Sequence, residues 1–301
     1  MAMDDARDPI IATLDEGRRQ FLALVDDLRP DLHRYCARMT GSVADGEDVV
    51  QDTLARAYYL LPELAALPPL RPWLFRIAHN LAIDHHRREA YRVSEPLEAV
   101  LEVADDSVPE PEQALAREQA VRAAITSFLA LAPAQRGCVI LKDVLGHSLE
   151  EIAEQLQLSV PAVKAALHRG RSTLRAVAAE VQPALVAPAS VALAQYARLF
   201  NAHDWDGVRA LLADDVRLDL VSRRKLAGRR EVEVYFGNYE RLRGWRVTPA
   251  WLDGREVLAV QPQAGAGYFI ELGWRDGRVA TIRDFRYVPY IARDAALTPA
   301  A

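Results

Sequence analysis

The stretch Ser148–Arg175 (SLEEIAEQLQLSVPAVKAALHRGRSTLR) carries Lys164, His168, Arg171 and Arg175 at spacings of four, three and four, with Arg169 beside them. No acid interrupts the run from Ser159 to Arg175. At 3.6 residues per turn these cations share one helical stripe. Ammonium and guanidinium groups in a row donate to phosphate oxygens and base edges, so the chemistry on offer is recognition of DNA. A solvated basic face on a structural helix is the plainer alternative. The flanking pattern favours recognition. Val163, Leu167 and Leu174 form a second, apolar stripe about 100° round the same helix, which anchors it. Ser148 followed by Glu151 is a capping-box signature for a preceding helix whose inner face holds Ile152 and Leu156. Ser159 can cap the second helix, and Pro161 is tolerated in its first turn. Ala162, Ala165 and Ala166 leave few long side chains near that helix start, so backbone contacts would carry much of the binding.

Two earlier stretches carry further stripes. In DGEDVVQDTLARAYYLL, Val50, Leu54, Tyr58 and Leu61 line one face, and Asp48, Gln51, Asp52 and Ala55 the opposite one. That compact acidic face suits a basic partner surface. In RPWLFRIAHNLAIDHHRR, Leu74, Ile77 and Leu81 point inward, while Arg76, Asn80, Asp84 and Arg87 make a polar stripe. Trp73 and Phe75 add aromatic surface, and bases interleaved with aromatics suit unstacked nucleotides. His85 and His86 are adjacent, so on a helix they point about 100° apart, and no Cys/His cluster joins them. Neither a metal nor a cofactor is expected.

The elements that must position these residues follow from composition and period. The chain has 301 residues, net charge −5 and pI about 5.9. It lacks an apolar run long enough to span a membrane and a signal-peptide layout at Asp4, Asp5 and Asp8, so a cytoplasmic protein without membrane contact is expected. Cys36 and Cys138 read as buried reduced thiols. Residues 1–92 and 114–181 are helical in pattern, separated by an acidic, Pro-containing linker at 93–113. A second break spans 182–189. From Ser190 the pattern changes: helices at about Val191–His203, Trp205–Ala213 and Arg229–Leu242, and period-two strands in DVRLDLV, GYFIELGW and RVATIRDFRYV. Residues 293–301 read as a tail, and the basic run SRRKLAGRR (Ser222–Arg230) as a solvated loop, with contact to DNA or to the acidic linker as the alternative.

DGEDVVQDTLARAYY resembles the core-polymerase-binding helix of the sigma-70 family, in its extracytoplasmic-function (ECF) group. PWLFRIAHNLAIDHHRR is similar to that family's −10-reading segment, and LAPAQRGCVILKDVLGHSLEEIAEQLQLSVPAVKAALHRGRSTLR to its region 4. The resemblance implies a multidomain fold: two all-α sigma domains, the second a helix-turn-helix. It places Asp48, Gln51 and Asp52 toward the β′ clamp helices of core RNA polymerase, and region 4 toward the β flap. Arg76, Asn80, Asp84, Arg87 and Arg88 would lie toward the −10 strand of promoter DNA. Lys164, His168, Arg169, Arg171 and Arg175 would lie toward the −35 element. An anti-sigma protein is a further partner in such a family. VALAQYARLFNAHDWDGVRALLADDVRLDLV resembles the opening of SnoaL-like domains, which implies an α+β cone over 190–292 with a regulatory role and a pocket for a small-molecule ligand.

In that cone Asp219, His203, Asp284, Tyr235 and Tyr268 are the candidate pocket acids, bases and donors, and Trp245, Trp251 and Trp274 candidate walls. Core aromatics and surface charges account for each of them better than catalysis does, so no enzyme is expected. Two other readings compete with the sigma factor: a helix-turn-helix regulator acting without polymerase, and a small-molecule enzyme fused to DNA-binding domains. The first would have no use for the Asp48/Gln51/Asp52 face.

Overall fold

The computed structural model describes residues 9–93, 124–180, 187–241, 244–262 and 266–301. Beyond Val93 the acidic linker lies outside them, as do residue 181 and residues 182–186 of the second break. The chain divides into two units, Met1–Val181 and Gln182–Ala301.

The first unit opens with α1 (Pro9–Val25), α2 (Arg29–Thr40), α3 (Val43–Leu60) and α4 (Leu70–Val93). α2 stops at Gly41, whose φ of 76° suits glycine, and the Gly41 amide closes on Ala37 O at 2.8 Å. Ser42 then caps α3 by accepting from the Asp45 amide. This short link lays α3 tightly on α2: a Cβ on Gly46 would fall 2.5 Å from Ala37 Cα. After a 3-10 turn at Ile125–Ala130, α5 (Pro133–Val139) runs into a π turn at Ile140–Val144. α6 (Leu149–Leu156) and α7 (Val160–Glu180) complete the unit.

Sequence pattern suggested two helical domains here. In the structure they share one hydrophobic core, from Leu32, Val50 and Leu74 to Val139, Ile152 and Leu174. Polar contacts cross the same junction. Arg136 of α5, 1% exposed, donates to Met39 O at 2.6 Å. Arg71 of α4 reaches His147 Nε2 at 3.3 Å and Asp31 at 2.9 Å. The Phe75 ring meets His147 edge-on at 5.3 Å and Tyr35 at 5.6 Å. Phe75 is therefore buried (1% exposed) rather than aromatic surface, because α4 is covered on one side by α2 and α3 and on another by α6.

The second unit is α+β. α8 (Val191–Asn201), α9 (Trp205–Ala210) and α10 (Arg229–Arg241) pack on a seven-stranded sheet. The strands are β1 (Leu212–Leu220), β2 (Arg224–Ala227), β3 (Arg246–Leu252), β4 (Arg255–Gln261), β5 (Tyr268–Arg275), β6 (Arg278–Asp284) and β7 (Thr298–Pro299). Their order is β2-β1-β6-β5-β4-β3-β7, antiparallel except for β1 beside β6. Asn201 ties α8 to the sheet through both its amide atoms and the Val247 backbone, at 2.8 and 3.0 Å. Two expectations are corrected. The run Ser222–Arg230 is not a loop throughout: residues 224–227 form a strand that pairs with β1 and leaves Arg224 and Lys225 exposed, and Arg229 and Arg230 open α10. Residues 298–299 join the sheet beside β3 rather than trailing as a tail, their backbone groups being satisfied by Ala250 and Trp251.

The junction in the first unit contains a titratable core group. His79 Nδ1 lies 2.7 Å from the Tyr35 hydroxyl, and burial lowers its pKa from 6.5 to about 4. Its protonation therefore favours the unfolded chain. That contribution is whole above pH 6.5, declines as pH falls, and is lost below about 4, an effect on the order of 3 kcal/mol. Urea unfolding followed by helix circular dichroism should show stability falling between pH 6.5 and 4.5. In His79→Gln that slope should be flatter; an equal slope would contradict the assignment.

Candidate nucleic-acid interface

The helix-turn-helix forms as its local chemistry dictates. The Ser148 amide donates to Glu151 Oε2 at 2.7 Å and the Glu151 amide to Ser148 Oγ at 3.1 Å, a complete capping box. These bonds hold the Glu151 carboxyl below its ordinary range. The turn is made by Gln157 at φ 56°, a left-handed conformation that costs a non-glycine residue about 1 kcal/mol. Ser159 Oγ accepts from the Ala162 amide and starts α7.

On α7, Val163, Ala165, Ala166, Leu167 and Leu174 are all buried. The alanines are small because they pack, and Gly170 fits because a Cβ there would come within 2.7 Å of Val139. Lys164, His168 and Arg175 are exposed on the opposite side, and Arg169 is half-buried. Ser172 belongs to the exposed stripe as well, its uncharged hydroxyl setting it apart from the cations that mark the stripe in the sequence. Arg171 differs. Its Nε and a terminal nitrogen hold Asp143 at 2.8 and 2.6 Å, with side-chain exposures of 12% and 3%. A bidentate, nearly buried pair of this kind fixes α7 to the π turn.

The stripe on α4 is divided in a similar way. Asn80, Asp84, Arg87 and Arg88 are exposed, with Arg87 4.0 Å from Asp84. Arg76 is half-buried and turns toward α6, where it donates to Glu154 O at 3.5 Å. On α3, Asp48, Gln51 and Asp52 share one face, with Asp52 exposed and the other two half-buried. Gln51 leans back to Glu47 at 3.4 Å, and Glu47, fully buried, lies 3.6 Å from Arg29. Cys36 and Cys138 are free and buried; burial raises both thiols, Cys138 to about 12.

The second unit brings together only part of its candidate set. Tyr235 and Tyr239 of α10 donate to Asp284 Oδ2 at 2.7 and 3.1 Å, and Tyr268 lies 3.0 Å from Tyr239. The Arg286 amide donates to Asp284 Oδ1 at 2.9 Å. Desolvation raises the Asp284 pKa, opposed by these bonds. Tyr239, absent from the sequence-based set, is central to the cluster because it sits one turn beyond Tyr235. Asp219 instead faces Lys225 at 3.6 Å, and His203 is exposed beside Trp205. Rings of Phe200, Trp205, Tyr235, Phe236, Tyr239 and Trp245 pack together on this side of the sheet. A cavity of about 270 Å³ lies elsewhere, between Ala250, Ala259 and Phe269 and the segment Ala292–Pro299. Among the described residues no three His, Cys, Asp or Glu side chains group as a metal site, and no helix is long and apolar enough to cross a membrane.

An all-helical unit ending in a capped helix-turn-helix, followed by an α+β unit, is the class of architecture. Residues 24–92 match the family model Sigma-70 region 2, and residues 122–174 match Sigma-70, region 4. The ECF RNA polymerase sigma factor SigW of Bacillus subtilis is 32% identical over 163 residues, covering 52% of this chain and 87% of SigW. SigG of Mycobacterium tuberculosis, also an ECF RNA polymerase sigma factor, is 34% identical over 232 residues, covering 68% of this chain and 61% of SigG. This chain belongs to the ECF sigma factors of the sigma-70 family. It spans about three fifths of the length of SigG. The crystal structure of M. tuberculosis SigJ aligns with 87% of this chain and 95% of its own, at 22% identity and a TM-score of 0.36.

The two arginines of α7 should separate in experiment. Arg175→Ala should lower the salt slope of duplex DNA binding by about 0.9, the value for one phosphate contact, with the fold unchanged. Arg171→Ala should destabilise the first unit by roughly 3 kcal/mol, leaving Asp143 buried without its partner. A salt slope lowered by Arg171→Ala at unchanged stability would reverse the two roles.

Proposed function

We propose that this chain binds core RNA polymerase and directs it to promoter DNA. The observation that carries this reading is the outward stripe Lys164–His168–Ser172–Arg175 on a helix whose other face is locked into the core. Lys164, His168, Arg169 and Arg175 serve the −35 element, with Ser172 added and Arg171 reassigned to orienting α7. Asn80, Asp84, Arg87 and Arg88 serve the −10 strand. Asp48, Gln51 and Asp52 meet the β′ clamp helices, and region 4 meets the β flap. The second unit acts by binding, not by catalysis: the Asp284 oxygens already accept from two phenols and a backbone amide, which suits a strut between α10 and β6.

The shared core of regions 2 and 4 adds a mechanical step. Elements at −35 and −10 are separated by roughly 80 Å of duplex at 3.4 Å per base pair. Arg76 and Glu154 O are 3.5 Å apart, so α4, meant for the −10 strand, packs on α6, the helix-turn-helix partner of α7. Reading both at once requires the junction to open, and polymerase binding provides the energy by preferring the open form. A protein of the anti-sigma kind would act on the same junction by preferring the closed one.

Replacing Asp48 and Asp52 with Lys tests the reading. Capture of purified core polymerase should weaken at least about tenfold, since like charges then face each other. Run-off transcription should fall with it, while duplex DNA binding by the free chain stays within about twofold. Unchanged capture would overturn the proposal.

A further inference from the structure

The acidic balance of the chain belongs to its first unit. Residues 1–181 hold 20 Lys and Arg against 28 Asp and Glu, whereas residues 182–301 hold 17 against 14. In the second unit cations gather where the β1–β2 hairpin meets the segment leaving β6. The Arg223 guanidinium carbon lies 4.5 Å from the centre of the Tyr287 ring, and that of Arg286 lies 5.8 Å from the same ring. Arg286 is also 4.6 Å from the Trp245 ring. Cation, ring, cation and ring thus alternate along one ladder.

The ladder is accessible. Arg223, Arg224, Lys225 and Tyr287 are exposed, and Arg286 and Trp245 are half-buried. Lys225 stands 3.6 Å from Asp219 with 77% of its side chain exposed. Among the described residues, no ion pair ties up Arg223, Arg224 or Arg286. Asp284, 1% exposed, accepts from the tyrosines and from the Arg286 amide, and the Arg286 charge acts on it from outside hydrogen-bond reach. A guanidinium stacked on a ring keeps its N–H edge free for phosphate oxygens, and its outer face is a plane on which an unstacked base can rest. A duplex, with its bases already stacked, would use only the charge.

We propose that the Arg223–Tyr287–Arg286–Trp245 ladder, with Arg224 and Lys225 along the same hairpin, is a binding surface for single-stranded nucleic acid. It rests on the second unit alone and is independent of the promoter-reading stripes of the first. The hairpin cations hold the phosphates, and the ladder extends the base stack.

The test uses the full-length chain and a labelled oligothymidylate of about 12 nucleotides, site sizes for such surfaces being about 4–16. Arg223→Ala with Arg224→Ala should lower the salt slope of single-strand binding by about 1.4, or 0.7 for each lost contact. Tyr287→Ala should weaken binding roughly tenfold, and Tyr287→Phe, which keeps the ring, should not. Photo-crosslinking with a 5-iodouracil-substituted strand should place an adduct on Tyr287 or Trp245. Core polymerase capture by the same variants reports intact folding of the first unit. Adducts confined to α4 or α7, or single-strand affinity unchanged in the Arg223/Arg224 variant, would overturn the proposal. So would an equal loss of duplex binding in Tyr287→Ala, which would leave charge alone as the cause.

Discussion

The Arg136 guanidinium, 1% exposed, holds three backbone carbonyls: Met39 at the end of α2, and Leu129 and Leu131 ahead of α5. One of these belongs to region 2 and two to region 4. Burying a cation with no carboxylate is costly, and desolvation lowers its pKa to about 10. Charge-assisted bonds to aligned carbonyls offset that cost only while both regions are in place. Gly41 is part of the same contact, since any Cβ there would overlap Leu129. The Arg136 and Arg76 Nε atoms are buried without a protein acceptor, and opening the junction exposes both to water. A contact of this kind can be specific without being permanent, which the proposed reading of two separated DNA elements requires.

Closure also explains why residues of one sequence stripe have different roles. Arg76 and Asn80 lie four residues apart on α4, yet Arg76 turns onto α6 and Asn80 to solvent. Arg171 and Arg175 divide likewise, one paired with Asp143 and the other exposed. In each case the member nearer a neighbouring helix is taken into packing. The exposed members stay on the surface while the paired ones hold the helices that carry them.

Local features were legible because local chemistry decides them. The capping box at Ser148 and Glu151, the start of α7 at Ser159, the inward stripe of Val163, Leu167 and Leu174, and most of the second unit's helices and strands follow from spacing and caps. What was not legible depends on partners distant in sequence. Asp143 gives no sign that it will hold Arg171, 28 residues on. Phe75 looks like surface until α6 covers it. The run 224–227 is too charged to read as a strand, and pairing with β1 overrides that composition. Tyr239 becomes significant only because Asp284 ends the adjacent strand's run.

The account's central claim is that regions 2 and 4 are closed on each other in the free chain and are separated by polymerase. A donor–acceptor pair on exposed positions outside the binding faces, Ala66 ahead of α4 and Ala176 of α7, reports that directly by energy transfer. The account predicts high transfer efficiency in the free chain and a large fall on adding core polymerase, with the same low value in the promoter complex. Low efficiency in the free chain, or high efficiency persisting in the promoter complex, would contradict it.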